Sequence, residues 1–160
     1  MKKTRILVMT LTALIAVSCS SDSATTETAE VSQEAIYTLD KENSTLKWKG
    51  SATDHSQVGI VKISEGTITM NDDVLATGAF TIDMNSIEAT ELDENKAKYL
   101  VGHLTGNGPD EKHPVDLFFN TPQFPNVEVS LGGYKDGKLS TTLNILGKTV
   151  TQDVDVTITS

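Results

Sequence analysis

The chain has 160 residues, of which 38% are hydrophobic and 5% aromatic, and its formal net charge is −9. This acidic balance argues against nucleic acid as a partner, because duplex binding depends on Lys and Arg side chains that neutralise phosphates. The single cysteine, Cys19, excludes an intramolecular disulfide, a CxxC redox motif and a cysteine-based zinc site.

The N-terminal segment has the order of a secretory signal. The first residues, MKKTR, are basic, and Ile6 to Val17 form an uncharged and mostly apolar run, as in the n-region and h-region of an export signal. This run is shorter than the roughly 20 residues that a membrane-spanning helix needs. Residues 16–19, AVSC, resemble a lipobox. We therefore expect a lipoprotein signal peptide over residues 1–18 and lipidation of Cys19, whose several acyl chains would anchor the protein durably.

Residues 19–35 are predicted to be a disordered tether, because this stretch is rich in Ser, Thr, Ala and Glu and has too little apolar surface to fold. Residues 36–160 then make one domain by length. Without its first 18 residues the chain would hold 10 basic and 22 acidic residues, a net charge of −12.

Strict alternation of apolar and polar residues predicts half-buried β-strands within this domain. The pattern covers 80–84, 127–131, 139–145 and 150–158, and shorter pieces occur around 46–48, 61–63 and 68–70. Turn signals separate the strands: Asp136-Gly137, Gly147-Lys148, Glu65-Gly66 and residues 71–73. One segment, at about 92–104, has helical spacing of its apolar residues and predicts an amphipathic helix. The fold class expected is therefore all-β, an antiparallel barrel or sandwich with one inserted helix.

Several short motifs, in order and at kept spacing, resemble the YceI-like family of exported lipid-binding proteins. The most specific is F-T-I-D-M-N-S-I at 80–87, and weaker ones are Y-T-L-D at 37–40, S-x-L-x-W-x-G at 44–50, G-H-L at 102–104, F-F-N with F-P at 118–125, and L-N-I-L-G-K-T at 143–149. The resemblance implies a lipocalin-like antiparallel barrel whose apolar interior holds a polyisoprenoid, such as a quinone tail or a prenyl phosphate. Family members usually continue with further strands, so we expect either a truncated sequence or a shortened variant that is incomplete at the C-terminus.

The candidate ligand-binding residues are apolar side chains on the predicted inward faces. Two alternatives stay open for them: they line a lipid cavity, or they fill a dry core. The candidates are Trp48, Ile63, Phe80, Ile82, Met84, Leu100, Leu104, Phe118, Phe119, Leu143 and Ile145.

Neither catalysis nor a metal site is predicted. His55, His103 and His113 form no HxH or HExxH arrangement, and no serine lies in a nucleophile elbow. No cofactor is expected besides a non-covalent polyisoprenoid ligand. The leading hypothesis is a carrier that sequesters isoprenoid lipid, tethered to the envelope of a Gram-negative bacterium at the outer membrane, on its periplasmic side or at the cell surface. The alternative is a structural or stress-related envelope lipoprotein with a dry barrel and no ligand.

Overall fold

The computed structural model describes residues 3–4, 33–108 and 118–159. Its elements are eight strands and one helix, and the helix α1 (Glu94–Thr105) lies between the fifth and sixth strands. The strands are β1 (Lys3–Thr4), β2 (Glu34–Thr38), β3 (Thr45–Ser51), β4 (Ser56–Asn71), β5 (Val74–Ala89), β6 (Asn126–Lys135), β7 (Lys138–Ile145) and β8 (Lys148–Asp155).

All strand pairs are antiparallel, and the sheet has the order β1-β2-β4-β5-β6-β7-β8. The long β4 has two partners on one side, because β3 pairs with its first half and β2 with its second half. The all-β fold with one inserted helix is confirmed. The sheet is open rather than a closed barrel, since within the described part of the chain β8 pairs only with β7.

The N-terminal predictions fall mostly outside the described residues. Of residues 1–18, which are predicted to be a signal peptide, the structure describes only β1, and this strand pairs with Ile36 and Tyr37. Cys19 lies outside the described residues. β2 begins at Glu34, two residues before the predicted start of the domain.

The hairpins after β6 and β7 show how local chemistry sets strand register. The Asp136-Gly137 turn is confirmed, with φ of 53° and 79°, as a type I′ turn requires. The second turn was predicted one residue too late: Leu146 and Gly147 occupy it, with φ of 53° and 67°, and Lys148 already belongs to β8. A leucine in this conformation is unusual, which is why the glycine alone could not fix the turn's position.

β4 and β5 form a hairpin of two 16-residue strands. Asp72 and Asp73 make its turn, with φ of 49° and 66°, as predicted. The turn predicted at Glu65-Gly66 is wrong, because both residues lie inside β4. Gly66 lies opposite Phe80, and a Cβ at this position would overlap the Phe80 ring. The glycine therefore serves close packing rather than chain reversal.

The helix α1 confirms the predicted element, with ends shifted by one or two residues. Asp93 is the N-cap, and its side chain accepts a hydrogen bond of 3.0 Å from the Lys96 backbone amide. The helix stops at Gly106, whose φ of 78° is left-handed, the usual C-terminal signal.

One side of the sheet, here called the apolar face, carries two hydrophobic clusters. Residues paired across antiparallel strands lie on the same side of the sheet. Leu143 belongs to one cluster and Leu139 to the other, and residues four apart in a strand point to the same side. Both clusters therefore lie on the apolar face. The capped cluster has Val61, Ile82, Met84, Ile87 and Val127 buried, with Val101, Leu104, Phe119, Val129, Leu143 and Ile145 packed against them. The sheet cluster has Met70, Leu75 and Leu139 buried, with Tyr37, Ile68, Leu131, Tyr134, Val154 and Val156 around them.

The opposite side is polar. Thr67, Ala79, Ser130 and Thr142 lie in register across four strands, and Glu65, Thr81 and Glu128 form the neighbouring row. This contrast between the two sides fixes the register of every strand, because a slip by one residue would expose the apolar set to water.

Candidate functional site

The centre of the apolar face is the candidate site. Phe80, Val129 and Leu143 are successive partners across β5, β6 and β7. Gly66 extends this row on β4 and Val150 on β8. This central row, residues 66, 80, 129, 143 and 150, runs along the margin of the capped cluster, against which Val129 and Leu143 pack. Its three middle side chains are half-buried and Val150 is exposed, so the row offers apolar surface that the protein's own side chains do not fully cover.

The capped end of the apolar face is packed by the protein itself. Ile82 and Met84 are buried there, and Leu104 of α1 and Phe119 lie against the cluster. The Phe119 amide donates to the Leu104 carbonyl at 3.0 Å, which fixes the segment after the helix over the same cluster. The capped end is therefore a packed boundary beside the central row.

The eleven candidate residues from the sequence divide into two sets. Seven come together at the capped cluster and the central row: Phe80, Ile82, Met84, Leu104, Phe119, Leu143 and Ile145. The other four, Trp48, Ile63, Leu100 and Phe118, are not members of either cluster. Which of them contact a ligand stays a prediction.

Ile63 and Trp48 nevertheless lie on the apolar face. Ile63 pairs with Ile82, and Trp48 of β3 pairs with Gly59. The Trp48 indole donates to the Glu88 carbonyl at 3.2 Å and covers Gly59, where a Cβ would come within 2.6 Å of the ring. The Trp48 ring is thus held over the margin of the sheet by a hydrogen bond. The residue is only half-buried.

Sequence reasoning missed several residues of the site. Val61 and Val127 are among the most buried apolar side chains, each 4% exposed, and Val129 lies at the centre of the row. Alternation did mark these three as strand residues. Their meeting depends on the register between strands, and no pattern within a single strand reveals that register.

The groups with shifted pKa values lie away from the apolar face. His55 Nδ1 lies 2.6 Å from the Asp54 carboxylate, and this hydrogen bond holds the pKa of Asp54 below its usual value. Lys96 lowers the pKa of Asp93 in the same way at the start of α1. Both pairs are exposed to solvent. No cluster of three or more His, Cys, Asp or Glu side chains in the described ranges could hold a metal ion, and His113 lies outside them.

Two surface cavities are found in the described part of the chain. One, of about 380 Å³, is a groove between α1 and the turn after β3, lined by His55, Gln57, Leu92, Asn95, Lys96, Tyr99 and Leu100. The other, of about 590 Å³, is lined by the polar rows, by residues after β2 such as Leu39 and Lys41, and by Gly66, Phe80 and Val129 of the central row. Within the described residues, no helix has the length and hydrophobicity needed to cross a membrane.

An open antiparallel sheet with one apolar and one polar side, and a helix over one end of the apolar side, is consistent with a lipocalin-like all-β fold. The family model of the YceI-like domain matches residues 37–160. The chain therefore belongs to the YceI-like family. No curated protein and no solved structure gives a significant match to this chain.

Proposed function

We propose that this protein is a membrane-anchored lipid-binding protein of the periplasm that sequesters or carries a polyisoprenoid. The observation that carries the proposal is the central row: Phe80, Val129 and Leu143 are apolar and in register, yet only half-buried. An extended hydrocarbon chain laid over this row would remove that remaining apolar surface from water, which is favourable by about 25 cal/mol per Å².

The lining favours a flexible hydrocarbon over a flat aromatic ligand. Apart from Phe80, the row and the clusters beside it consist chiefly of aliphatic side chains. Burial stabilises by about 0.8 kcal/mol per CH₂ group, whereas non-covalent affinities level off near 20 kcal/mol. A long prenyl chain therefore binds with part of its length uncovered, so we expect only loose selectivity for chain length.

Anchoring would come from lipidation of Cys19 and the polar residues that follow it. Because this stretch has no second apolar signal, we expect Cys19→Ser to move the protein from membrane to soluble fractions. The measurement is fractionation with mass spectrometry of the N-terminal peptide. Membrane retention of the wild type with no acyl mass on that peptide would refute the anchor. We also propose a Gram-negative envelope location, at the outer membrane on its periplasmic side or at the cell surface.

A second candidate function is a structural or stress-related lipoprotein without a ligand. The capped cluster favours it, because Ile82, Met84 and Val127 are already buried by the protein's own side chains. The two candidates differ in what happens at the central row, since a dry core there would leave no space for added volume.

Volume added at Val129 separates the two candidates. If a lipid covers the row, Val129→Trp should displace it and reduce co-purifying prenyl lipid several-fold with little change in thermal stability. In a closely packed core, the same overpacking costs about 1 to 3 kcal/mol. Val74→Trp is the matched control, because Val74 is 52% exposed at the far turn of the β4–β5 hairpin.

The measurements are thermal unfolding and mass spectrometry of lipids extracted from the purified proteins. Loss of lipid in Val129→Trp but not in Val74→Trp supports the carrier. Absence of lipid from the wild type, together with a destabilised Val129→Trp, would establish the dry barrel instead.

A further inference from the structure

The start of the domain is fixed to one end of the sheet by two hydrogen bonds. The Gln33 amide donates to the Asp72 carboxylate at 2.8 Å, and the Asp72 amide donates to the Gln33 carbonyl at 3.1 Å. Asp72 lies in the turn between β4 and β5. The chain that leads back to Cys19 therefore leaves the domain at this turn.

The same end of the sheet is the one that α1 does not cover, and we call it the sheet end. Met70 and Leu75 of the sheet cluster lie next to the β4–β5 turn. Because β6 is antiparallel to β5, Tyr134 near the end of β6 reaches the same end and belongs to the same cluster. The helix packs against the capped cluster instead. The uncovered part of the apolar face therefore lies where the N-terminal chain leaves.

Apolar side chains connect the sheet end with the central row. Ile68 lies two residues from Gly66 on β4, and Leu131 lies two residues from Val129 on β6. Both side chains belong to the sheet cluster and are half-buried. Ile158, which follows β8, is 48% exposed. A hydrocarbon chain laid on the central row can therefore continue over apolar side chains towards the sheet end.

We infer that the sheet end of the apolar face is a portal that faces the bilayer, through which lipid passes between the membrane and the central row. The inference rests on the proposed anchoring at Cys19 and on the proposed carriage of lipid. What it adds is the end of the molecule at which the ligand enters.

The length of the N-terminal chain decides which end of the domain is held towards the membrane. From Cys19 to Gln33 there are 14 residue steps, which span at most about 50 Å when fully extended and about 20 Å as the coil that their composition predicts. The 16 residues of β4 are themselves about 50 Å long. The capped end could reach the bilayer only if that chain lay fully stretched along the whole sheet.

The turns at the sheet end are acidic, and their charge determines which membranes favour the portal. Asp72, Asp73 and Asp136 lie at the tips of two hairpins, where anionic headgroups would repel them. Lipid should therefore pass faster from zwitterionic vesicles than from anionic ones. Added salt should reduce the difference, because it screens exposed charges.

Photo-crosslinking in the lipidated chain tests the orientation. Replacement of Asp73 by benzoylphenylalanine should give crosslinks to phospholipid on irradiation, detected by mass spectrometry. The matched control carries the same group in place of Glu91, an exposed residue between the far end of β5 and α1, and should give few. Equal or stronger crosslinking from position 91 would overturn the inference.

Lipid passage is measured with the Cys19→Ser chain and phosphatidylcholine vesicles that carry a fluorescent farnesyl lipid. Ile158→Lys places a charge at the portal and should slow uptake several-fold, with little change in the amount bound at equilibrium. Leu46→Lys is the matched control. Leu46 is 40% exposed and lies opposite Val61, about 33 Å along β4 from its last residue. Equal uptake rates in the two variants, or slower uptake in Leu46→Lys, would overturn the portal.

The outcomes separate this inference from the proposed function. A wild type without an acyl chain on Cys19, or without prenyl lipid bound under any condition, defeats the proposed function and the portal with it. An acylated chain that binds prenyl lipid normally, but crosslinks from position 91 or takes up lipid at a rate that Ile158→Lys does not change, defeats the portal alone.

Discussion

The two ends of the apolar face are built from similar strands but closed in different ways. At the capped cluster, Leu104 of α1 and Phe119 cover five buried side chains. At the sheet cluster only three side chains are buried, and the residues around them come from strands, with Tyr37 of β2 on one side and Val154 of β8 on the other. A helix covers many side chains at once, whereas strands at the margins of an open sheet cover only their nearest neighbours.

The comparison indicates that the two ends of the apolar face have different roles. The capped end provides most of the packed core, and the sheet end leaves apolar surface partly exposed to solvent. The central row lies between the capped end and the sheet end, which is why its middle residues are half-buried. Stability and ligand contact should therefore respond to different substitutions.

The largest effect should come from truncation at the capped end. Ile82→Ala removes a buried side chain between sheet and helix, and the rigid surroundings cannot close the gap. We expect a loss of about 3 to 4 kcal/mol in the free energy of unfolding, measured by urea denaturation followed by circular dichroism. A loss below about 1 kcal/mol would show that the capped cluster is not tightly packed.

A smaller effect is expected at the sheet end, even for a more deeply buried residue. Leu139 is 2% exposed, but its half-exposed neighbours can move or admit water. Leu139→Ala should therefore cost about 2 kcal/mol, the lower end of the range for core truncations. The same denaturation experiment applies. If Leu139→Ala proves as costly as Ile82→Ala, the two ends are packed alike and the contrast drawn above is wrong.

Trp48 tests the margin of the capped end. Trp48→Phe keeps most of the ring over Gly59 and removes the indole donor to the Glu88 carbonyl. The net loss should be about 1 kcal/mol, the usual value of one hydrogen bond. Since Trp48 is the only tryptophan, unfolding must be followed by circular dichroism. Trp48→Tyr is a useful comparison, because its hydroxyl offers a donor at a different position.

The smallest effect concerns the start of the helix that covers the capped end. The hydrogen bonds from Lys96 lower the pKa of the Asp93 N-cap. A lowered folded-state pKa means that the Asp93 contribution to stability is complete above the unfolded pKa of about 3.9 and is lost as pH falls through the folded value. Asp93→Asn, which also caps helices well, should lack this acid-dependent component. Thermal unfolding between pH 2 and about 6 would measure it, and identical pH profiles would contradict it.

The sequence allowed the strands, the helix and several turns to be predicted, because each depends on residues close together in the chain. Alternation at 80–84 marked β5, and Asp136-Gly137 marked the turn before β7. The failure at Glu65-Gly66 has a different origin. Gly66 is needed because the ring of Phe80, 14 residues away, leaves no room for a Cβ atom. A packing contact between two strands therefore produced the same sequence pattern as a turn.

The site was predictable only in part for the same reason. Ile82, Met84 and Ile145 were predicted to point inward, and they meet at the capped cluster. The central row could not be foreseen, because the meeting of Phe80, Val129 and Leu143 depends on the pairing registers of β5, β6 and β7.

The position of α1 between β5 and β6 also bears on how the chain folds. β4 with β5, and β6 with β7 and β8, are joined by tight turns and can form as local hairpins, whereas β5 meets β6 only after the whole stretch from Ala89 to Asn126 has been looped out. Closing that loop costs entropy before the pairing of β5 with β6 can stabilise the structure.

We therefore expect two halves that form their hairpins early and join late. The amides between β5 and β6 should be the last to gain protection in pulsed hydrogen exchange. Early protection there would contradict this order. Until the halves join, the edges of β5 and β6 are exposed together, which makes this junction the step at which an incompletely folded chain is most prone to pair with the wrong neighbour.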